Sequence, residues 1–105
     1  MALPNLFSPI QLGKVKIQNR TALAPMGIGV TSMDEPYPLQ TVRYFEERAI
    51  GEIGLIITPF TPVHSSLSTI PVAGIIHDRF IPYHKRFVDC IHQYDTKVFL
   101  QIALA

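Results

Sequence analysis

The chain has 105 residues, 48% of them hydrophobic and 16% charged, with a formal net charge of +1. That composition supplies a core and excludes a disordered tail or a nucleic-acid arm, and the length excludes two complete domains. Nine Lys and Arg against eight Asp and Glu leave no excess cation for a phosphate backbone or an anionic membrane surface, so neither is expected as a partner.

From Ile10 to Ile17 the apolar residues Ile10, Leu12, Val15 and Ile17 flank Gly13 and Lys14, the alternation of a short hairpin turning at glycine. Asn19 and Arg20 close it. Thr21 to Ala24 reads as a short strand stopped by Pro25, which cannot donate to a sheet ladder. Met26 to about Leu39 contains Gly27, Gly29, Pro36 and Pro38 and follows neither period, so an irregular, surface-facing loop is expected. Gln40 to Ala49 spaces Val42, Phe45 and Ala49 as a helix, with Arg43 and Glu47 on its exposed side and Gly51 as its stop.

Ile53 to Thr58, branched and apolar between glycine and proline, predicts a strand buried on both faces. A loop rich in Ser, Thr and Pro runs from Pro59 to about His77. Pro82 to Tyr94 then places Tyr83, Phe87, Ile91 and Tyr94 on one helical face, with Pro82 tolerable in the first turn. Lys97 to Ala105 predicts a continuous apolar strand interrupted only by Gln101. The order is hairpin, strand, helix, strand, helix, strand, an α/β alternation that builds a parallel sheet with helices packed outside.

The single Cys90 makes neither an internal disulfide nor a thiolate cluster, which fits a reducing, cytoplasmic setting. The opening MALPNLFSPI does not read as a secretory signal. The most apolar run, Ile53 to Ile57, is far shorter than the roughly 20 residues that span a bilayer, so a soluble protein is expected.

Ligands of parallel α/β folds bind at the carboxyl ends of the strands. Here those positions carry Pro25-Met26-Gly27, Thr58-Pro59-Phe60 and Gln101. None is ionisable, so the set suits holding a flat, neutral, hydrogen-bonding ring better than acid or base catalysis. Gln101, an amide within an apolar strand, needs partners for its oxygen and its amine; it either caps neighbouring backbone groups or meets a ligand. Met26 either fills a gap or lines a site.

The four histidines show no metal-ligand spacing. His64 lies in a polar loop, Pro82 separates His77 from His84, and His84 and His92 stand eight residues apart, so surface positions are expected and no metal site. Arg43, Glu46, Glu47 and Arg48 read as a solvated face, and Cys90 as a buried structural thiol with no base beside it in sequence. There is no GxGxxG, P-loop or GxSxG, so phosphate binding would come from outside these segments.

LFSPIQLGKVKIQNR, ALAPMG after the first strand, YFEERAIGEIGLIIT, IP before the second helix and KVFLQ in the third strand together resemble the N-terminal part of the old yellow enzyme family of NADH:flavin oxidoreductases. Pro25-Met26-Gly27 is most similar to the branch containing 2,4-dienoyl-CoA reductase and related enoate reductases. The resemblance covers essentially the whole chain in order. It implies that residues 1–105 are the N-terminal portion of a single FMN-binding TIM (β/α)8 barrel, with the hairpin covering the barrel's bottom and the chain ending on the third barrel strand. It further implies FMN as cofactor, NAD(P)H as reductant, and hydride transfer through the flavin to the activated carbon-carbon double bond of a small enone or enoyl substrate.

Within that resemblance, residues matching Pro25, Met26 and Gly27 lie along the flavin. The backbone at the position of Phe60 approaches it, and the residue matching Gln101 hydrogen-bonds its pyrimidine edge. No catalytic residue is expected within the segment, because the family's substrate-binding histidine and partner, flavin-phosphate site and proton donor come after residue 105. An iron-sulfur cluster (4Fe-4S), FAD and a homo-oligomer would likewise belong to the full-length parent. Two positions depart from the family pattern: Phe60 stands where alanine or glycine is usual, and Gly29 where some relatives have tyrosine.

A barrel of this type takes about 250 residues, and three strands alone would leave a long edge and an uncovered apolar face. Three readings follow. The chain is the amino-terminal segment of an FMN-dependent ene-reductase; or it is a truncated, non-catalytic barrel fragment; or it belongs to a flavin barrel that dehydrogenates amines or oxidises dihydropyrimidines, which ALAPMG and YFEERAIGEIGLIIT disfavour.

Overall fold

Leu23, Ile56 and Val98 lie side by side on three parallel strands and pack against two helices laid over that face of the sheet. The structure, a computed structural model, describes residues 3–28, 35–64 and 74–104. In chain order the elements are β1 (Ile10–Leu12), β2 (Val15–Ile17), β3 (Ala22–Leu23), α1 (Leu39–Ile50), β4 (Leu55–Ile57), β5 (Thr61–Pro62), a 3-10 turn (Asp78–Phe80), α2 (Ile81–Ile91), β6 (Lys97–Phe99) and β7 (Ile102–Ala103). The antiparallel pair β1-β2 stands apart from the parallel sheet β3-β4-β6, and β5 pairs in parallel with β7. The alternation of strand and helix read from the sequence is therefore the architecture.

Both helices form, the second ending at Ile91 rather than running on to Tyr94. α1 buries Thr41, Val42, Phe45 and Ala49, and α2 buries Phe87 and Ile91. Tyr83 and Tyr94, expected on the same face, are only half-buried. Each large side chain so removed from water contributes about 1.5–3 kcal/mol. After Ile50 the chain passes through Gly51 at φ −74° to Glu52 at φ 67°. The Glu52 amide then bonds the Ala49 carbonyl and the Ile53 amide the Arg48 carbonyl, a Schellman close with a glutamate in the left-handed position glycine usually takes.

The hairpin docks at the amino ends of the parallel strands. Asn19 Nδ2 donates to the Glu52 carbonyl at 2.8 Å, and Gln18 Nε2 to that of Ile53 at 3.2 Å. Asn19 Oδ1 accepts from the Thr21 amide and hydroxyl at 3.0 and 2.7 Å, and Thr21 Oγ1 accepts from the Gly54 amide at 3.2 Å. Gly54 is buried in this clasp, where a Cβ would stand 2.6 Å from Asn19 Oδ1 and 2.7 Å from the Asn19 carbonyl. A side chain there would push the hairpin off the sheet.

Several sequence expectations need correction. The third strand is not continuous: β6 and β7 are separated by Leu100 and Gln101, and Gln101 is exposed rather than set inside an apolar strand; Ala105 lies outside the described residues. The second loop contains β5, while residues 65–73 of it lie outside the described set. The first loop is not wholly surface-facing, since Pro36 and Tyr37 are buried; Gly29, with residues 30–34, also lies outside the described set. Glu46 is half-buried and bonded across to α2, so it does not belong to a solvated face.

Both helices cover one side of the sheet. On the other side Ala22 and Ala24 are exposed, and Ile57 and Phe99 only half-buried. Along the β6-β7 edge Leu100, Ile102 and Leu104 are 43%, 61% and 77% exposed. The radius of gyration, 14.5 Å, exceeds the roughly 13 Å of a closed domain of this length. Among the described residues no helix is long and apolar enough to cross a membrane.

Candidate functional site

The strand order β3-β4-β6 sets three chain segments in a row at the carboxyl ends of the parallel strands. Pro25, Met26 and Gly27 follow β3 after Ala24; Thr58, Pro59 and Phe60 link β4 to β5; Leu100 and Gln101 link β6 to β7. The sequence-predicted positions therefore share one end of the sheet, opposite the hairpin clasp. Pro25 and Phe60 are half-buried, whereas Met26, Gly27 and Gln101 are exposed.

The first and third of these segments leave room or hydrogen-bonding capacity. Among the described residues a Cβ on Gly27 would meet nothing within 4 Å, so the backbone there is open to close approach. Met26 exposes half of its surface, which rules out gap filling within the described residues. The Gln101 carboxamide forms no hydrogen bond among the described residues, so it does not cap its neighbours; its backbone is instead held on both sides. The Gln101 amide donates to Thr58 Oγ1 at 3.0 Å, and its carbonyl accepts from the Thr61 amide at 3.0 Å. An exposed carboxamide on a fixed backbone can present one donor and one acceptor to the edge of a planar heterocycle.

Behind this row lies Tyr37, which sequence reasoning missed. Its ring stacks on Phe87 at 4.2 Å and 4°, meets Phe45 and His84 edge-on, and is almost wholly buried. Arg86 donates to its carbonyl at 2.7 Å, and its φ of 55° is a left-handed conformation uncommon for so bulky a residue. The buried hydroxyl has no hydrogen-bond partner among the described residues. Burial pushes it up to about 12, while the Thr58 and Thr61 hydroxyls beside it pull the other way. The signal available in sequence was the buried-type aromatic between two prolines.

A largely apolar groove of about 520 Å³ opens beside Tyr37 between α2 and the β6 edge, lined by Tyr37, Thr58, Ile81, Phe87, Val98 and Leu100 among others. It lies on the helix side of the sheet, away from Met26 and Gly27. Between the helices Glu46 Oε2 accepts from Cys90 Sγ and Tyr94 Oη, each at 3.2 Å. Burial first, and then this hydrogen bond and the Glu46 charge, push the Cys90 thiol up to about 11, so Cys90 is a half-buried protonated thiol tied to a carboxylate.

His64, His77 and His92 are exposed. His77 caps the 3-10 turn by accepting from the Arg79 amide at 3.0 Å. His84 departs from the expected surface position: it is half-buried and bonds the Gly74 carbonyl at 2.8 Å. Among the described residues no group of three or more His, Cys, Asp or Glu is placed to hold a metal ion.

Residues 5–105 match the model of the NADH:flavin oxidoreductase / NADH oxidase family. The cinnamate reductase of Clostridium sporogenes is 35% identical over 104 residues, covering 93% of this chain and 16% of that protein. The NADH oxidase of Thermoanaerobacter brockii is 28% identical over 101 residues, covering 94% of this chain and 16% of its own length. The structure of the old yellow enzyme from Trypanosoma cruzi superposes with a TM-score of 0.87 at 30% identity, over 100% of this chain and 28% of that one. The chain thus spans about a sixth of the curated relatives named and somewhat over a quarter of the solved enzyme.

Proposed function

The chain belongs to the NADH:flavin oxidoreductase / NADH oxidase family, and from that membership and the strand-end geometry we propose that it is the flavin-cradling, amino-terminal portion of an FMN-dependent ene-reductase barrel. The observation that carries this reading is the row of Pro25-Met26-Gly27, Phe60 and Gln101 at one end of a parallel sheet, with open space at Gly27 and an unengaged carboxamide at Gln101 among the described residues. In this reading FMN, when bound, supplies the hydride chemistry that links NAD(P)H to the activated double bond of a small enone or enoyl substrate.

This chain's own residues do the holding. Gln101 donates and accepts at the pyrimidine edge, the open backbone of Gly27 admits the ring, and Pro25 and Met26 line it. Phe60 approaches through its backbone, and its ring must either turn from the flavin or reshape the pocket. No residue of the segment donates a proton or activates substrate, and the finer assignments of an iron-sulfur cluster, FAD and oligomeric state fall to the full-length parent.

The open β6-β7 edge, with Leu100, Ile102 and Leu104 exposed, favours a second statement about the chain by itself: it binds flavin without turning over. Purified chain is titrated with FMN while flavin absorbance and the amide spectra are followed, and NADH consumption is then measured with an enone acceptor. The expected result is perturbation of Met26, Gly27 and Gln101 with no NADH consumption. Absence of any change at those residues overturns the flavin reading, and steady turnover overturns the non-catalytic one.

A further inference from the structure

The ladder between the second and third parallel strands breaks where Gln101 sits. β4 and β6 pair in the register Ile57↔Phe99, while β5 and β7 resume at Thr61↔Ile102. Three residues, Thr58 to Phe60, therefore face two, Leu100 and Gln101, which is a bulge with its extra residue on the Thr58 side. Bulges re-aim side chains and concentrate beside functional sites. Such a break normally leaves a backbone donor unpaired, and an unpaired donor costs the free energy of a lost hydrogen bond.

Here a side chain takes the place of the missing ladder carbonyl. Thr58 is almost wholly buried, its own amide bonds the Phe99 carbonyl at 2.9 Å, and its hydroxyl accepts the Gln101 amide at 3.0 Å. The Thr61 amide holds the Gln101 carbonyl at 3.0 Å. The Gln101 backbone is thereby held through both its amide and its carbonyl, while its carboxamide is exposed and unengaged among the described residues.

We propose that Thr58 is a positioning residue for the site, its hydroxyl fixing the backbone from which the Gln101 carboxamide meets the flavin. This rests on the flavin reading above. Thr58 touches no flavin itself; it limits the conformations Gln101 must give up on binding. The role needs an acceptor at that place, which serine supplies and the isosteric valine does not.

The test uses the 105-residue chain in three variants, Thr58→Val, Thr58→Ser and Gln101→Ala, with FMN as the probe. Amide hydrogen exchange is read residue by residue, and FMN affinity by fluorescence quenching. Thr58→Val is expected to speed exchange of the Gln101 amide roughly five- to tenfold, the factor carried by one hydrogen bond of ordinary net strength, with the amides of α1 unchanged. It is also expected to weaken FMN in the same direction as Gln101→Ala, and Thr58→Ser to restore both. Should Thr58→Val not fold, Thr58→Ala removes the same acceptor with the same expected exchange.

Unchanged exchange at Gln101 in a folded variant lacking the hydroxyl overturns the proposal. So does an FMN affinity that falls in Gln101→Ala but not in Thr58→Val, which leaves the flavin reading intact. If Gln101→Ala leaves FMN affinity unchanged, the flavin reading fails, and faster exchange in Thr58→Val then supports only the backbone pin.

Discussion

Replacing Gly54 by alanine tests whether the hairpin clasp holds the amino end of the sheet. The backbone of Gly54 has no positive φ, so conformation is not what demands glycine there; space is. The new Cβ would lie 2.6 Å from Asn19 Oδ1, 2.7 Å from the Asn19 carbonyl and 2.9 Å from Ile17 Cγ2, against ordinary contact at 3.4 Å or more. Rotating the Asn19 side chain relieves only the first of these, so hairpin and β4 must separate. The bonds at stake are Asn19 Nδ2 to the Glu52 carbonyl, the Gly54 amide to Thr21 Oγ1, and the Leu55 amide to the Thr21 carbonyl.

At about 1 kcal/mol net for each bond, losing two or three costs about 2–3 kcal/mol, which agrees with the usual cost of overpacking. The lower entropy of the unfolded alanine chain returns about 0.4–1 kcal/mol. The net loss is therefore about 1–2.6 kcal/mol. With a urea slope of about 1 kcal/mol/M for a chain of this size, the midpoint falls by roughly 2 M. Gly51→Ala is the control, because its Cβ would stand 3.4 Å from the Arg48 carbonyl at φ −74°, and it is expected to match or slightly exceed the parent. A Gly54→Ala midpoint within about 0.5 M of the parent would refute the clasp as a stabilising device.

Two further expectations follow from buried hydroxyl and thiol groups. Tyr37→Phe keeps the stack on Phe87 and removes a buried hydroxyl that has no hydrogen-bond partner among the described residues, so at pH 8 it is expected to match the parent or gain about 1 kcal/mol. Because the folded phenol sits at about 12 against 10.0, the parent's stability is insensitive to this group below pH 10 and falls by up to about 2–3 kcal/mol between pH 10 and 12 as the unfolded chain ionises first. Urea midpoints at pH 8 and 11 check this, and an equal alkaline drop in Tyr37→Phe would sink the assignment. Cys90, held protonated by burial and Glu46, is expected to react with iodoacetamide at pH 8 on the order of tenfold more slowly than an unhindered thiol. Glu46→Gln speeds the reaction; an unchanged rate would show that Glu46 does not govern the thiol.

What the sequence made legible was whatever depends on near neighbours. Val42, Phe45 and Ala49 repeat at helical spacing, so α1 could be read within a residue of its bounds. The short apolar runs bounded by glycine and proline gave the parallel strands, and their order alone put Pro25, Phe60 and Gln101 at one end. The break after Phe99 was illegible because it is set by the partner strand: Thr58 and Gln101 are 43 residues apart. Glu46 misled for the same reason, its partners Cys90 and Tyr94 lying 44 and 48 residues away on another helix. Tyr37 was lost in a stretch whose prolines and glycines read as exposed loop. Its burial is decided by the Phe87 ring and the Arg86 guanidinium, neither visible in local pattern.

The clasp between the hairpin and β4 also bears on the order of assembly. Every group in it, from Gln18 and Asn19 to Glu52, Ile53 and Gly54, lies within 35 residues of its partner. A growing chain that has released Gly54 from the ribosome already holds all of them, and closing so short a loop costs little entropy. The pin on Gln101, by contrast, waits for β6. During synthesis the hairpin end of the sheet can therefore set first and serve as the template on which the opposite end is later laid down.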